Sequence, residues 1–170
     1  QGAPTMYETD LFQPLVGKVE EISGVRYGAG RANDHAIRTV AEHGRSVSFL
    51  IADGVVPGNE GRGYVLRKIM RRGIRQGTLL GRGETFLYTM TGHVVELMKE
   101  AYPELLNTRE YVSRVVENEE RQFSATVAVA ISKLEEISSQ LVSEQREVIP
   151  GTDIFKLYDT YGLPLDFTEE

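Results

Sequence analysis

A chain of 170 residues that is 41% hydrophobic and 26% charged has the composition of one folded domain or two small ones. It could bury roughly two-thirds of its unfolded surface. It has no cysteine, which excludes disulfides, thiolate catalysis and cysteine-held zinc and suits a reducing cytoplasm. No run approaches the ~18–20 apolar residues of a membrane span. The net charge of −6 argues mildly against nucleic acid, but the mean conceals an asymmetry. Between Arg62 and Arg82 stand seven basic residues and no acidic one, so the rest of the chain carries −13. An acidic body with one basic strip points to a directed contact with a polyanion.

Gln1-Gly2-Ala3-Pro4 offers no charged segment followed by an apolar run, so it does not read as a signal peptide. Both ends are expected to be cuts in a longer protein. The first predicted element is a short helix over about 8–22, interrupted at Pro14. A helix follows over about 34–52, with apolar Ile37, Val40, Val47, Leu50 and Ile51 in helical phase and Asn33 or Asp34 as N-cap. Residues 53–61 carry three glycines and Pro57 and read as a loop. The next helix spans about 62–76, with Gly77 as its stop. Another, within about 84–101, closes before Pro103. Asn107 with Glu110 has the form of a capped start. From there to about 148 one long helix is expected, with Ser124-Ala125-Thr126 as the place for a kink. Pro150-Gly151 ends it, and a short helix over about 153–161 stops at Gly162. The expected class is all-α: a helical bundle with one long helix and one basic helix.

The basic helix carries the sharpest signal. At 100° per residue, Val65, Leu66, Ile69, Met70, Gly73 and Ile74 fill one half of its wheel, and Arg67, Lys68, Arg71, Arg72 and Arg75 most of the other. Like charges at i,i+4 repel, whereas a solvated face usually mixes signs. Guanidinium groups also suit phosphate oxygens. The bland alternative is a face paired with the acidic run Glu117-Asn118-Glu119-Glu120. Membrane-binding basic helices expose large apolar residues to the lipid, while this apolar face is aliphatic and core-like. The glycine-rich loop before the helix could bring backbone close to a ligand, but it has no Gly-Lys-Ser/Thr and is not a P-loop. Asn59 within it is, on physical grounds alone, more often a turn former than a base reader. His35 and His43 stand two helical turns apart, too far to share an ion without further ligands. No metal site and no catalytic residue is expected in this chain.

The 25-residue run 53–77, DGVVPGNEGRGYVLRKIMRRGIRQG, resembles the signature of bacterial-type alanyl-tRNA synthetases. Three further segments resemble the same family in the same order: YETDLF at 7–12, DHAIR at 34–38 running through Phe49-Leu50, and FKLYDTYGLPLD at 155–166. The likeness covers essentially the whole chain, with small departures such as Gly58 where Ser is common and Leu163 where Phe is common. It implies a helical tRNA-recognition domain over 1–170, with a natural subdivision into 1–106 and 107–170. The catalytic and editing domains of the ligase would lie outside it. ATP and Mg would serve the catalytic part and Zn the editing part, with no cofactor in this chain. The implied partners are the acceptor stem of alanine tRNA and the adjoining domains, with no membrane.

Carried over by position, Asn59 and Asp159 are the implied readers of a G·U wobble pair, and Asp166 is a second acid close by in the same segment. A wobble guanine leaves its 2-amino group free in the shallow minor groove of A-form RNA. A carboxylate can accept from that amine, and an amide can donate and accept. Arg62, Arg67, Lys68, Arg71, Arg72 and Arg75 would then supply phosphate contacts that position without specifying. The rival reading is a helical scaffold whose basic helix binds an acidic protein partner.

Overall fold

A computed structural model describes residues 2–83, 85–143 and 148–159, the side chains of 142, 143, 158 and 159 excepted. The described elements are a 3-10 turn at Met6–Glu8, α1 (Gln13–Ser23), α2 (Arg31–Ala52), α3 (Gly61–Leu79), α4 (Leu87–Met98), α5 (Leu105–Ser143) and α6 (Gly151–Asp159). There is no strand among the described residues, and the all-α class is the observed one. The chain forms two compact units, Gln1–Glu120 and Arg121–Glu170, whose boundary falls inside α5.

In the first unit α2 packs against α1, α3 and α4. Its buried residues Ile37, Val40, Gly44, Val47 and Ile51 recur at alternating steps of three and four, which aligns them on one stripe. Leu15, Leu66, Met70, Leu87 and Met90 complete that core from the neighbouring helices, all of them wholly buried. The segment before α1 is fastened to α2 by cations and rings. Arg38 lies 4.8 Å from the Tyr7 ring and 5.2 Å from the Tyr27 ring, and Arg45 reaches over Phe12 and Phe49. The Tyr7 hydroxyl donates to Glu42, and burial followed by that carboxylate pushes its pKa up to about 12. It therefore remains a donor through the neutral range.

Several helix ends differ from their sequence expectation. Pro14 does not interrupt the first helix; α1 begins there, with proline in its first turn, where a missing N–H costs nothing. The N-cap of α2 is Gly30. Asp34 lies inside that helix and turns back to accept from the Gly28 N–H at 2.7 Å. Asn107 likewise lies inside α5, which begins two residues earlier.

Gly77 was the expected stop of the basic helix, yet α3 runs on to Leu79 and Gly81 takes the left-handed conformation, φ 84°. Gly77 is buried for another reason: a Cβ there would lie 1.9 Å from Cζ of Phe86. The glycine is a socket for that ring. Gly77→Ala should therefore lower stability by about 2 kcal/mol through overpacking, against the ~1 kcal/mol that alanine adds to an unhindered helix. A denaturant midpoint above wild type would show that the ring is free to move aside.

Phe86 is held from its other side as well. Glu120, 1% exposed, accepts from the backbone N–H groups of Phe86 at 2.9 Å, Leu87 at 2.8 Å and Tyr88 at 3.1 Å. These are orphan donors at the start of α4, whose N-cap residue Phe86 makes no side-chain cap bond. A side chain of α5 thus caps α4 across the fold. Burial pushes the Glu120 carboxyl pKa up, and the three amide bonds oppose that shift in part.

In the second unit Ala130 of α5 and Leu157 of α6 are buried together, with Leu134 and Ile137 packed against them.

Candidate nucleic-acid interface

The loop from Asp53 to Glu60 is built on the end of α2 and the start of α3. Val55 N–H donates to the carbonyl of Leu50 at 3.0 Å, and Gly58 N–H to that of Gly63 at 3.0 Å. The second bond folds the loop back over the first turn of α3. It also explains Gly63, where a Cβ would stand 2.5 Å from the Val56 carbonyl oxygen. Asn59 is exposed at this turn, directly before Glu60, the N-cap of α3.

The cations of α3 separate into two groups, although all were expected on one polar half of the wheel. Arg62, Lys68 and Arg72 are exposed, and Lys68 lies 5.3 Å from the ring of Tyr64, itself 39% exposed. Arg67 and Arg71 converge instead on one carboxylate. Each has its Nε 3.1 Å from Oε1 of Glu119, which is 4% exposed. Arg71 makes a hydrogen bond there, while Arg67 makes an ion-pair contact without hydrogen-bond geometry. The pairing of basic face with acidic run, weighed as the bland alternative, is real for these two arginines.

Arg75, placed on the polar half of the wheel, is only 8% exposed, and Val65, placed on the apolar half, is 55% exposed. A wheel records one helix and not what is laid over it; side chains from elsewhere decide which positions meet water. Arg72 keeps its charge exposed and lowers the pKa of His43, although burial is the larger cause. His43 is accordingly neutral near pH 7.

Asn59 is not an isolated turn residue. Nη1 of Arg67 donates to its Oδ1, so loop, α3 and α5 are joined through Asn59, Arg67 and Glu119. Sequence reasoning offered Glu119 only as one member of the acidic run 117–120, and it missed Glu120 as the cap of α4. A signal was present: Val112, Val116 and Phe123 are buried, and their spacing puts positions 119 and 120 on the same helical stripe.

Asp159 is the last residue of α6; its side chain, and the whole of Asp166, lie outside the described residues. Asn59 and Asp159 belong to different compact units. No group of three or more His, Cys, Asp and Glu side chains gathers as a metal site would need among the described residues. No described helix is long and apolar enough to cross a membrane.

An all-helical chain that presents exposed cations and a tethered amide on one loop–helix surface matches a family model across residues 1–170, that of "tRNA synthetases class II (A)". The chain belongs to that family. Among its relatives, the alanine–tRNA ligase of Natranaerobius thermophilus is 46% identical over the entire chain. The ligase of Streptococcus pyogenes serotype M28 is 45% identical and that of Pediococcus pentosaceus 43%, again over the entire chain. The chain spans 19% of the length of each of these ligases. That similarity agrees with the alanyl-type resemblance read from the motifs at 7–12, 34–50, 53–77 and 155–166.

Proposed function

We propose that this chain is an RNA-recognition part of a cytoplasmic alanine–tRNA ligase, a protein that joins alanine to its tRNA at the expense of ATP. In this reading the exposed side chains Arg62, Lys68 and Arg72 grip phosphates of the acceptor stem, and Asn59 and Asp159 read its G·U wobble pair. ATP with Mg, and the zinc of the editing reaction, would be held by other parts of the ligase; none is assigned to a residue here. The observation that carries the proposal is the position of Asn59, exposed at a loop tip beside the exposed cations of α3 and tethered through its amide oxygen. A simple turn former needs no such tether from an arginine eight residues away.

The test is binding of this chain to alanine tRNA and to a transcript with G·C at the wobble position. Asn59→Ala and Asp159→Ala should each remove discrimination worth ~1–3 kcal/mol, roughly 5- to 150-fold. Affinity for the G·C transcript should stay near that of the wild type, since phosphate contacts are untouched. If Asp159→Ala keeps the full preference while Asp166→Ala loses it, Asp166 is the reading acid. Full preference in Asn59→Ala would leave the loop as a turn and end the base-reading proposal. The scaffold reading is favoured instead if the chain binds neither transcript and captures an acidic protein through α3.

A further inference from the structure

Resting on the reading of Asn59 as a base contact, the way its amide is held defines what it can recognise. Arginine carries only donors, so the atom of Asn59 that faces Arg67 Nη1 is its carbonyl oxygen. The opposite rotamer would set the Nδ2 hydrogens against a cation. Arg67 is itself restrained, because its Nε side lies against Glu119, 3.1 Å from Oε1. Glu119 is in turn fixed by the hydrogen bond from Arg71 Nε, also 3.1 Å. The amide of an exposed asparagine ordinarily turns over freely. Here a buried carboxylate on α5 sets the sense of a side chain on the loop.

We infer that Arg67 and Glu119 are positioning residues for Asn59, holding its amide so that it offers N–H donors to the RNA. With Arg67 held on its Oδ1, the amide turns its two Nδ2 hydrogens to the other side, where they are the donors offered to a ligand. Asn59 then selects an acceptor in the minor groove: a purine N3, a pyrimidine O2 or a ribose 2′-oxygen. The 2-amino group of guanine, a donor, falls to an acidic partner. Arg67 then serves Asn59 first, with Nη1 bonded to its amide oxygen and the Nε side lying against Glu119.

The test uses this chain with a short RNA duplex containing a G·U pair and the same duplex with G·C. Asn59→Ala should lower discrimination about tenfold, and Arg67→Gln should lower it nearly as far although Asn59 is intact. Combining the two should lower it no further than Asn59→Ala alone. Asn59→Asp keeps an oxygen for Arg67 and so keeps the thermal midpoint, but it has no N–H to offer and should discriminate as poorly as Asn59→Ala.

A second readout needs no RNA. The Asn59 side-chain NH2 signals in a proton–nitrogen correlation spectrum should shift toward free-amide values in Arg67→Gln and in Glu119→Gln, with backbone signals elsewhere unmoved. Arg67→Gln leaves Glu119 paired with Arg71, so it decides the matter even if Glu119→Gln fails to fold. If Asn59→Ala discriminates normally, the base-reading proposal itself is wrong. If Asn59→Ala loses discrimination and Arg67→Gln keeps it, base reading stands and the positioning role is overturned. Wild-type discrimination in Asn59→Asp would overturn the donor assignment.

Discussion

Glu120→Ala is expected to remove about 3 kcal/mol of stability. The carboxylate accepts three backbone N–H groups at the start of α4. Two of them belong to the buried residues Phe86 and Leu87, where water cannot easily replace the lost acceptor. Each buried donor left unsatisfied costs ~1–3 kcal/mol, and the lost charge at a helix N-terminus adds to the deficit. Partial relaxation holds the total near the lower end of that sum. For a domain of this size the melting midpoint should fall by roughly 10 °C.

Gln at the same position keeps one oxygen, the one that accepts from Phe86 and Leu87. It sets an NH2 against the N–H of Tyr88, so Glu120→Gln should be intermediate. The pH dependence has a definite sign. Burial raises the pKa of the carboxyl above its ordinary 4.5. Its share of stability is therefore fully present below pH 4.5 and declines as pH rises through the raised value. The gap between wild type and Glu120→Ala should accordingly be wider in acid than at neutral pH. Urea melts at several pH values would measure both effects, and an unchanged midpoint would remove Glu120 from its capping role.

Neutralising Arg62, Lys68 and Arg72 together should produce the largest change in RNA affinity. If each touches one phosphate, the slope of log K against log salt should lose about 2 to 3 units, since each contact contributes ~0.9. Between 50 and 200 mM salt the wild type would then shed roughly 40-fold more affinity than the variant. The loss should be the same for G·U and G·C duplexes, because phosphate contacts carry no sequence information. Neutralising Arg67, Arg71 and Arg75 should act differently. Two of those side chains satisfy Glu119 and the third is 8% exposed, so the expected result is lost stability with little change in slope. If the two triple variants exchange behaviours, the grouping of the α3 cations is wrong.

The sequence by itself determined the helical class and the existence of six helices, because apolar residues at three- and four-residue spacing specify which face of each helix meets a core. It also specified the family, through the run at 53–77 that surrounds Asn59, and it located the basic helix. Helix ends were legible only in part. Pro14 and Gly77 carry local signals with two physical meanings, and the chain alone does not choose between them. A proline can break a helix or open one, and a glycine can end a helix or admit a neighbouring ring. The approach of Phe86 decided the second case.

The tertiary structure also decided which arginines of α3 meet a carboxylate. Arg67 and Arg72 both fall in the polar half of the wheel of α3, about 140° apart, but Glu119 of α5 lies against Arg67 and not against Arg72, from just over fifty residues further along the chain. The same is true of the asparagine. Its presence at position 59 is written in the sequence, while the sense of its amide depends on Arg67 and, behind it, on Glu119. A pattern read along one helix cannot contain the charge that another helix brings to it.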